Sequence, residues 1–426
     1  MRKNKRGIKL VLTALLALFA APLSLAGDID FSQGQWYEAA LLIDDEPGVV
    51  FIVWLPSGQS DAIIRNGDED IRVDFSRTND SIVLDFPHYD SRIEATQTDD
   101  GFAGEWRKQR SDGVASMPFR LIPTTSGDLV KIPDRAKDVW KLIEPAPELF
   151  RYEIQFEKSG LALATIRLPG RAMETKAGIG PTLHEALGTI ETPTGDYRFL
   201  AGFFSSHGGF LLSTFDGAHA FNIQANPSPG DALLHGNFYS GNWWHEAFTA
   251  RRLGPDEEFE LPDPFSEVAL TSGDGTLNIE ALDKPRYQGR PVIVQIFGTW
   301  CPNCHDETPV LRDLYERYRG DGLQVLGLAY EVTGDDARSQ RQVERFKKKF
   351  GIDWEIEIAG TSDKAQASKT LPDITAVKSF PTTIWIGRDG NVRAIHSGFS
   401  GPATGDEHVE LVAEFETLTA EIVGKE

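Results

Sequence analysis

Cysteine is nearly absent from this chain of 426 residues, which has only Cys301 and Cys304. With no second pair, no disulfide framework can hold the fold, so its domains must stand on packed apolar cores. Basic residues are also in deficit: 43 Lys and Arg face 64 Asp and Glu, a formal net charge of −21. Such an acidic surface repels phosphate backbones, which argues against nucleic acid as a partner. After residue 26 no apolar run approaches the ~20 residues of a membrane-spanning helix.

The first 26 residues differ in character. Arg2, Lys3, Lys5, Arg6 and Lys9 precede LVLTALLALFAAPLSLA, and Ser24 and Ala26 precede Gly27. This reads as a cleavable secretory signal, with an uncleaved anchor or a buried helix as alternatives. Removing its five basic residues takes the formal charge to −26. No cysteine near the cut allows a lipoprotein-type anchor. The expected mature chain is soluble and extracytoplasmic, most simply periplasmic.

From 27 to 125, short apolar or alternating runs such as WYEAALLI, VVFIVWL and SIVLDF are separated by Gly, Asp, Asn and Pro clusters. That spacing predicts antiparallel strands in a barrel or sandwich. A short helix is expected around AKDVWKLI, and a second strand-rich region spans 145–253. Two places resemble each other: DGFAGEW followed by PFRL, and DALLHGNF followed by EAFTARR. A faint duplication and common hairpin chemistry both account for this. An acidic, proline-containing linker covers 254–267.

Beyond it, PVIVQIF and QVLGLAY read as strands buried on both faces. A helix between them carries Val310, Leu311, Leu314, Tyr315 and Tyr318 on one face. Helices are expected near 336–350 and 406–423, with the hairpin TTIWIGRDGNVRAIH between them. The order β, α, β, α, β, β, α implies a central sheet covered by helices over 268–426.

The two cysteines fall in GTWCPNCHDETP, where a strand ending at Phe297 hands over to a helix. This puts Cys301 at a helix N-terminus, which favours a thiolate, and Cys304 one turn behind it. The pattern predicts an attacking, reachable thiol and a less exposed resolving thiol.

This segment resembles the TlpA/ResA group of thioredoxin-fold thiol:disulfide oxidoreductases. Trp300 directly precedes the first cysteine, and WCPNCHDETP fits the group's WCxxCxxExP form, placing Glu307 and Pro309. SFPTTIWIGRDGNV matches its cis-proline strand, with Pro381 as the cis residue. HSGFSGPATG adds to the likeness, and a weaker one reaches back over TGDYRFLAG, STFDGAHAF and FYSGNWWHEAFTARR. The resemblance implies dithiol–disulfide exchange through a redox-active Cys301–Cys304 pair, with protein substrates, an unidentified redox partner and no cofactor. It also implies a proton-shuttling Glu307 and a peptide groove at Trp300, Phe380 and Pro381, where a substrate could pair as an added strand. Thioredoxin's buried Asp is replaced here by Gln295. The Pro302-Asn303 insert matches neither thioredoxin nor DsbA, so the potential is expected between about −270 and −120 mV.

An alternative is a non-catalytic binding protein whose CxxC is a redox switch or holds copper with His396, otherwise a surface hairpin residue. Two sulfurs are too few for a tetrahedral zinc site with His305, and no metal is expected. A peroxiredoxin is disfavoured by Val294 and Gly298, which stand where that family has proline and threonine. Trp243 and Trp244 are either a substrate platform or barrel-closing aromatics.

Overall fold

The computed structural model describes residues 29–58, 61–129, 138–262 and 268–425. The segment 1–26, read as a signal peptide, lies outside them, as do 263–267 of the acidic linker. Among the described residues, eight strands from Gly34–Ile43 to Gly113–Thr124 pair antiparallel in chain order. The first also pairs with the last, closing a barrel and removing both sheet edges. Tyr37, Ala39 and Leu41 alternate inward on the first strand, as the two-residue period of a strand requires.

The second region is a ring of the same kind. Glu148–Phe156 pairs with Trp244–Arg252, and Gly160–Leu168 with Leu183–Thr192, which closes eight strands into another antiparallel barrel among the described residues. The helix expected around AKDVWKLI is not formed by its described part. Trp140–Ile143 is a strand, paired with Ala172–Thr175 and tied to it by Lys141–Glu174 at 2.9 Å. A ladder partner outweighs the weak local helix preference of so short a segment.

The two similar sequence stretches occupy the same place in the two barrels, the last hairpin of each. In the first, Ala95, Gly104 and Phe119 stand side by side on consecutive strands; in the second, Ala225, Gly236 and Phe248 do. A Cβ on Gly104 would run into the carbonyl of Glu94, and one on Gly236 into that of Gln224, again the residue before the paired alanine. The shared register favours duplication over generic hairpin chemistry.

The barrels are interlocked. Phe215 of the second barrel is fully buried in the core of the first, stacked on Phe51 at 4.6 Å and edge-on to Trp106 at 5.1 Å. Its backbone N–H and C=O both bond the Asn66 side chain, at 3.2 and 2.9 Å. Trp243 packs on Trp106 at 5.6 Å and so closes the barrel, while Trp244 stays half exposed beneath Lys158.

The C-terminal domain is a five-stranded thioredoxin-like sheet in the order Glu355–Thr361, Gln324–Glu331, Val292–Phe297, Thr382–Ile386, Val392–Ser397. The first three run parallel and the last two antiparallel. Its helices are α1 (Pro302–Tyr318), α2 (Asp336–Phe350), α3 (Lys364–Thr370) and α4 (Asp406–Val423). Both central strands are buried along their whole length, as their predominantly apolar runs require. The half-buried edge strand Glu355–Thr361 and the seven-residue α3 were absent from the sequence reading.

Candidate active site

Strand Val292–Phe297 delivers the chain to a tight passage, Gly298–Trp300, before α1 begins with Cys301 as N-cap and Pro302 in its first turn. The passage is clamped by the end of the neighbouring strand. Thr299 donates its backbone N–H and its hydroxyl to Glu331, at 3.1 and 2.8 Å, and Trp300 Nε1 donates to the Tyr330 carbonyl at 2.8 Å. Gly298 is required there, because a Cβ would collide with the Trp300 indole.

Both cysteines are free thiols in contact with each other. Burial, reinforced by the neighbouring Cys301, pushes the Cys304 thiol well above its usual range. The thiol expected to be freely reachable is not: Cys301 keeps 7% of its surface and Cys304 none. The Cys301 Sγ donates to the carbonyl of Phe380 at 3.3 Å, and the Phe380–Pro381 bond is cis. Phe380 therefore meets the sulfur through its backbone. Its ring is buried between Trp300 and Tyr330, at 5.9 and 5.6 Å, rather than lining a groove.

Glu307 is fully buried one turn past Cys304. Thr383 Oγ1 donates to one carboxylate oxygen at 2.6 Å and Gln295 Nε2 to the other at 2.7 Å. Burial raises its pKa to about 7 against the pull of those two bonds. Gln295 also reaches Thr308, whose hydroxyl donates to the Cys304 carbonyl at 2.7 Å. Sequence reasoning treated Gln295 only as a missing acid; a lone polar residue in VIVQIF was a signal that a buried partner exists.

His305 and His396, the two histidines considered for a metal, are both buried. His305 Nε2 donates to the Thr299 carbonyl at 2.7 Å, leaving Nδ1 to accept from Lys349 at 2.9 Å, and burial keeps the ring neutral. His396, expected on the surface, is buried with its ring 5.3 Å from Phe415. Among the described residues no group of three or more His, Cys, Asp and Glu side chains is arranged to hold a metal.

The barrels reach this helix. Arg198 of the second barrel bonds Asp306 at 2.6 Å and Glu69 of the first barrel at 2.6 Å, beside Asp216 at 3.5 Å. The junction encloses a cavity of about 360 Å³ lined by these residues, Tyr89, His305 and Lys349. None of this was foreseen, since Arg198 stands 108 positions from Asp306 and 129 from Glu69 along the chain.

A family model described as Redoxin matches residues 263–409, so the C-terminal part of the chain is a redoxin domain. The thiol-disulfide oxidoreductase ResA of Geobacillus kaustophilus is 27% identical over 126 residues, covering 30% of this chain and 65% of its own length. ResA of Halalkalibacterium halodurans is 26% identical over 133 residues, 31% of this chain and 68% of its own. The chain thus spans just under two thirds of the Geobacillus relative. Among solved structures, a thioredoxin-family thiol:disulfide interchange protein from Chlorobium tepidum TLS is 20% identical, covers 32% of this chain and 81% of its own, and has a TM-score of 0.25. StoA from Bacillus subtilis is 17% identical over 31% of this chain and 84% of its own, with a TM-score of 0.23.

Proposed function

We propose that the chain is an extracytoplasmic thiol:disulfide oxidoreductase that reduces disulfides in protein substrates through its redox domain, 268–426. The observation that carries this reading is the pair of touching free thiols at the start of α1, with Glu307 buried behind them at a pKa of about 7.

The Cys301 thiolate attacks one sulfur of the substrate disulfide, forming a mixed disulfide and expelling the other sulfur as a thiolate. Cys304 then loses its proton to Glu307 and attacks the Cys301 sulfur. The second substrate sulfur leaves, two electrons have passed to the substrate, and Cys301–Cys304 is a disulfide that a separate dithiol partner must reduce. A general base with a pKa near 7 suits a buried thiol, since it can both take and return the proton at neutral pH. The cis-proline loop presents the Phe380 carbonyl beside the sulfur, where an extended substrate backbone can pair. Trp300, only partly buried, flanks the same opening. The chain is read as modules 27–125 and 145–253 joined through the linker 254–267 to this domain, and the two described barrels, 34–124 and 148–252, are the scaffold it sits on.

Insulin reduction tests the reading. Cys301→Ser should lose at least about 100-fold in rate, because no other nucleophile stands at this position. A variant as active as the parent would overturn it.

A further inference from the structure

The redox helix offers less free surface than its motif suggests. Asn303, between the thiols, lies against Gly195 of the second barrel, whose backbone bridges in parallel to Phe399. The Gly401 N–H donates to Asp196 of the same hairpin at 2.6 Å. The His305 ring lies tilted against Tyr89 of the first barrel at 4.9 Å, and Asp306 is taken by Arg198. A partner cannot approach Cys301 across this side without displacing a barrel.

Another flank is built from elements of the redox domain. Lys378 is exposed two residues before Phe380, the partner of the Cys301 sulfur. Helix α3 is pinned beside this loop: Ser368 Oγ accepts from the Val377 N–H at 2.9 Å, and Thr370 meets the Tyr330 hydroxyl at 2.6 Å. Its first residue, Lys364, is exposed as well and lies within electrostatic reach of both Cys301 and Lys378. Among the described residues no carboxylate forms an ion pair with either lysine, in a chain with 64 acidic residues. Two neighbouring like charges repel, and an anionic occupant would relieve that repulsion.

We propose that the substrate is an extended acidic segment that carries its disulfide to Cys301 along the flank formed by Lys364, Lys378 and the Phe380 backbone, while the barrels close the other flank. This rests on the reading of Cys301 as the nucleophile. The segment adds its backbone to the cis-proline loop and sets its carboxylates against the two ammonium groups.

The test uses the full chain and peptides whose disulfide is replaced by an unreactive thioether bridge, flanked by glutamates in one and lysines in the other. Binding is read by calorimetry, so the result does not depend on thiol chemistry, which the Cys301→Ser assay examines separately. The acidic peptide should bind about tenfold or more tightly at low ionic strength, with the difference collapsing in molar salt. K364E/K378E should reverse the preference. Equal affinities in the parent, or a preference unchanged in K364E/K378E, would overturn the proposal.

Discussion

Arg198 leaves the second barrel to meet Asp306 on α1 at 2.6 Å, two residues beyond Cys304. Its backbone is left-handed, φ 58°, a strained conformation held by the contacts its side chain makes with three carboxylates. Burial pushes the Glu69 and Asp306 carboxyls up and Arg198 pulls them back; at Asp216, burial is overcome by His219 and Arg198, which hold it low. Arg198→Met should therefore cost about 3–5 kcal/mol of stability at neutral pH, because it strands buried charge. Denaturant unfolding checks this. The loss should shrink as the pH is lowered, because Glu69 and Asp306, already pushed up by burial, then take up protons, and it should be strongly non-additive with Asp306→Asn.

Phe215 makes the barrels one cooperative body. Phe215→Ala empties the centre of the first barrel from a residue carried by the second, and should cost about 3–5 kcal/mol. Fluorescence of Trp106, 5.1 Å away, should report the same transition as circular dichroism of both barrels. A loss below about 1 kcal/mol would contradict the plug.

Period and punctuation made much of this fold legible. Predominantly apolar runs gave the central strands, α2 and α4 emerged from their apolar spacing, and the paired glycines of FAGEW and HGNF marked equivalent hairpins. The CxxC placed Cys301 at a helix start because a strand ended at Phe297. What stayed hidden was long-range. Trp140–Ile143 became a strand because Ala172–Thr175 offered it a ladder. The burial of Cys301, Phe380 and His396 depends on which surfaces meet, and no local pattern encodes that Arg198 would find Asp306.

The asymmetry of the thiols has a chemical consequence. Cys304 is fully buried and held in its protonated form, whereas Cys301 keeps a narrow opening. Iodoacetamide at neutral pH should stop at one equivalent, with Cys301 modified at least about 100-fold faster, since the thiolate is the reacting species. Peptide mapping reads the site. Equal labelling of both cysteines would contradict the arrangement.

Glu307 sets the pH dependence. Its folded pKa of about 7 lies above its ordinary value of 4.5, so between these limits the native state holds a proton that the unfolded chain has released. Raising the pH through this window therefore lowers stability, by on the order of 3 kcal/mol in total for one fully buried carboxyl. Glu307→Gln removes that slope. The substitution fits, because Gln295 Oε1 is buried without a hydrogen-bond partner and a turn of its amide offers it to the new NH₂ group. Glu307→Gln should thus gain on the parent as pH rises from 4.5 to 7, and single-turnover resolution of a mixed disulfide should lose its break near pH 7. Parallel stability curves for the two proteins would show that Glu307 does not titrate in this window.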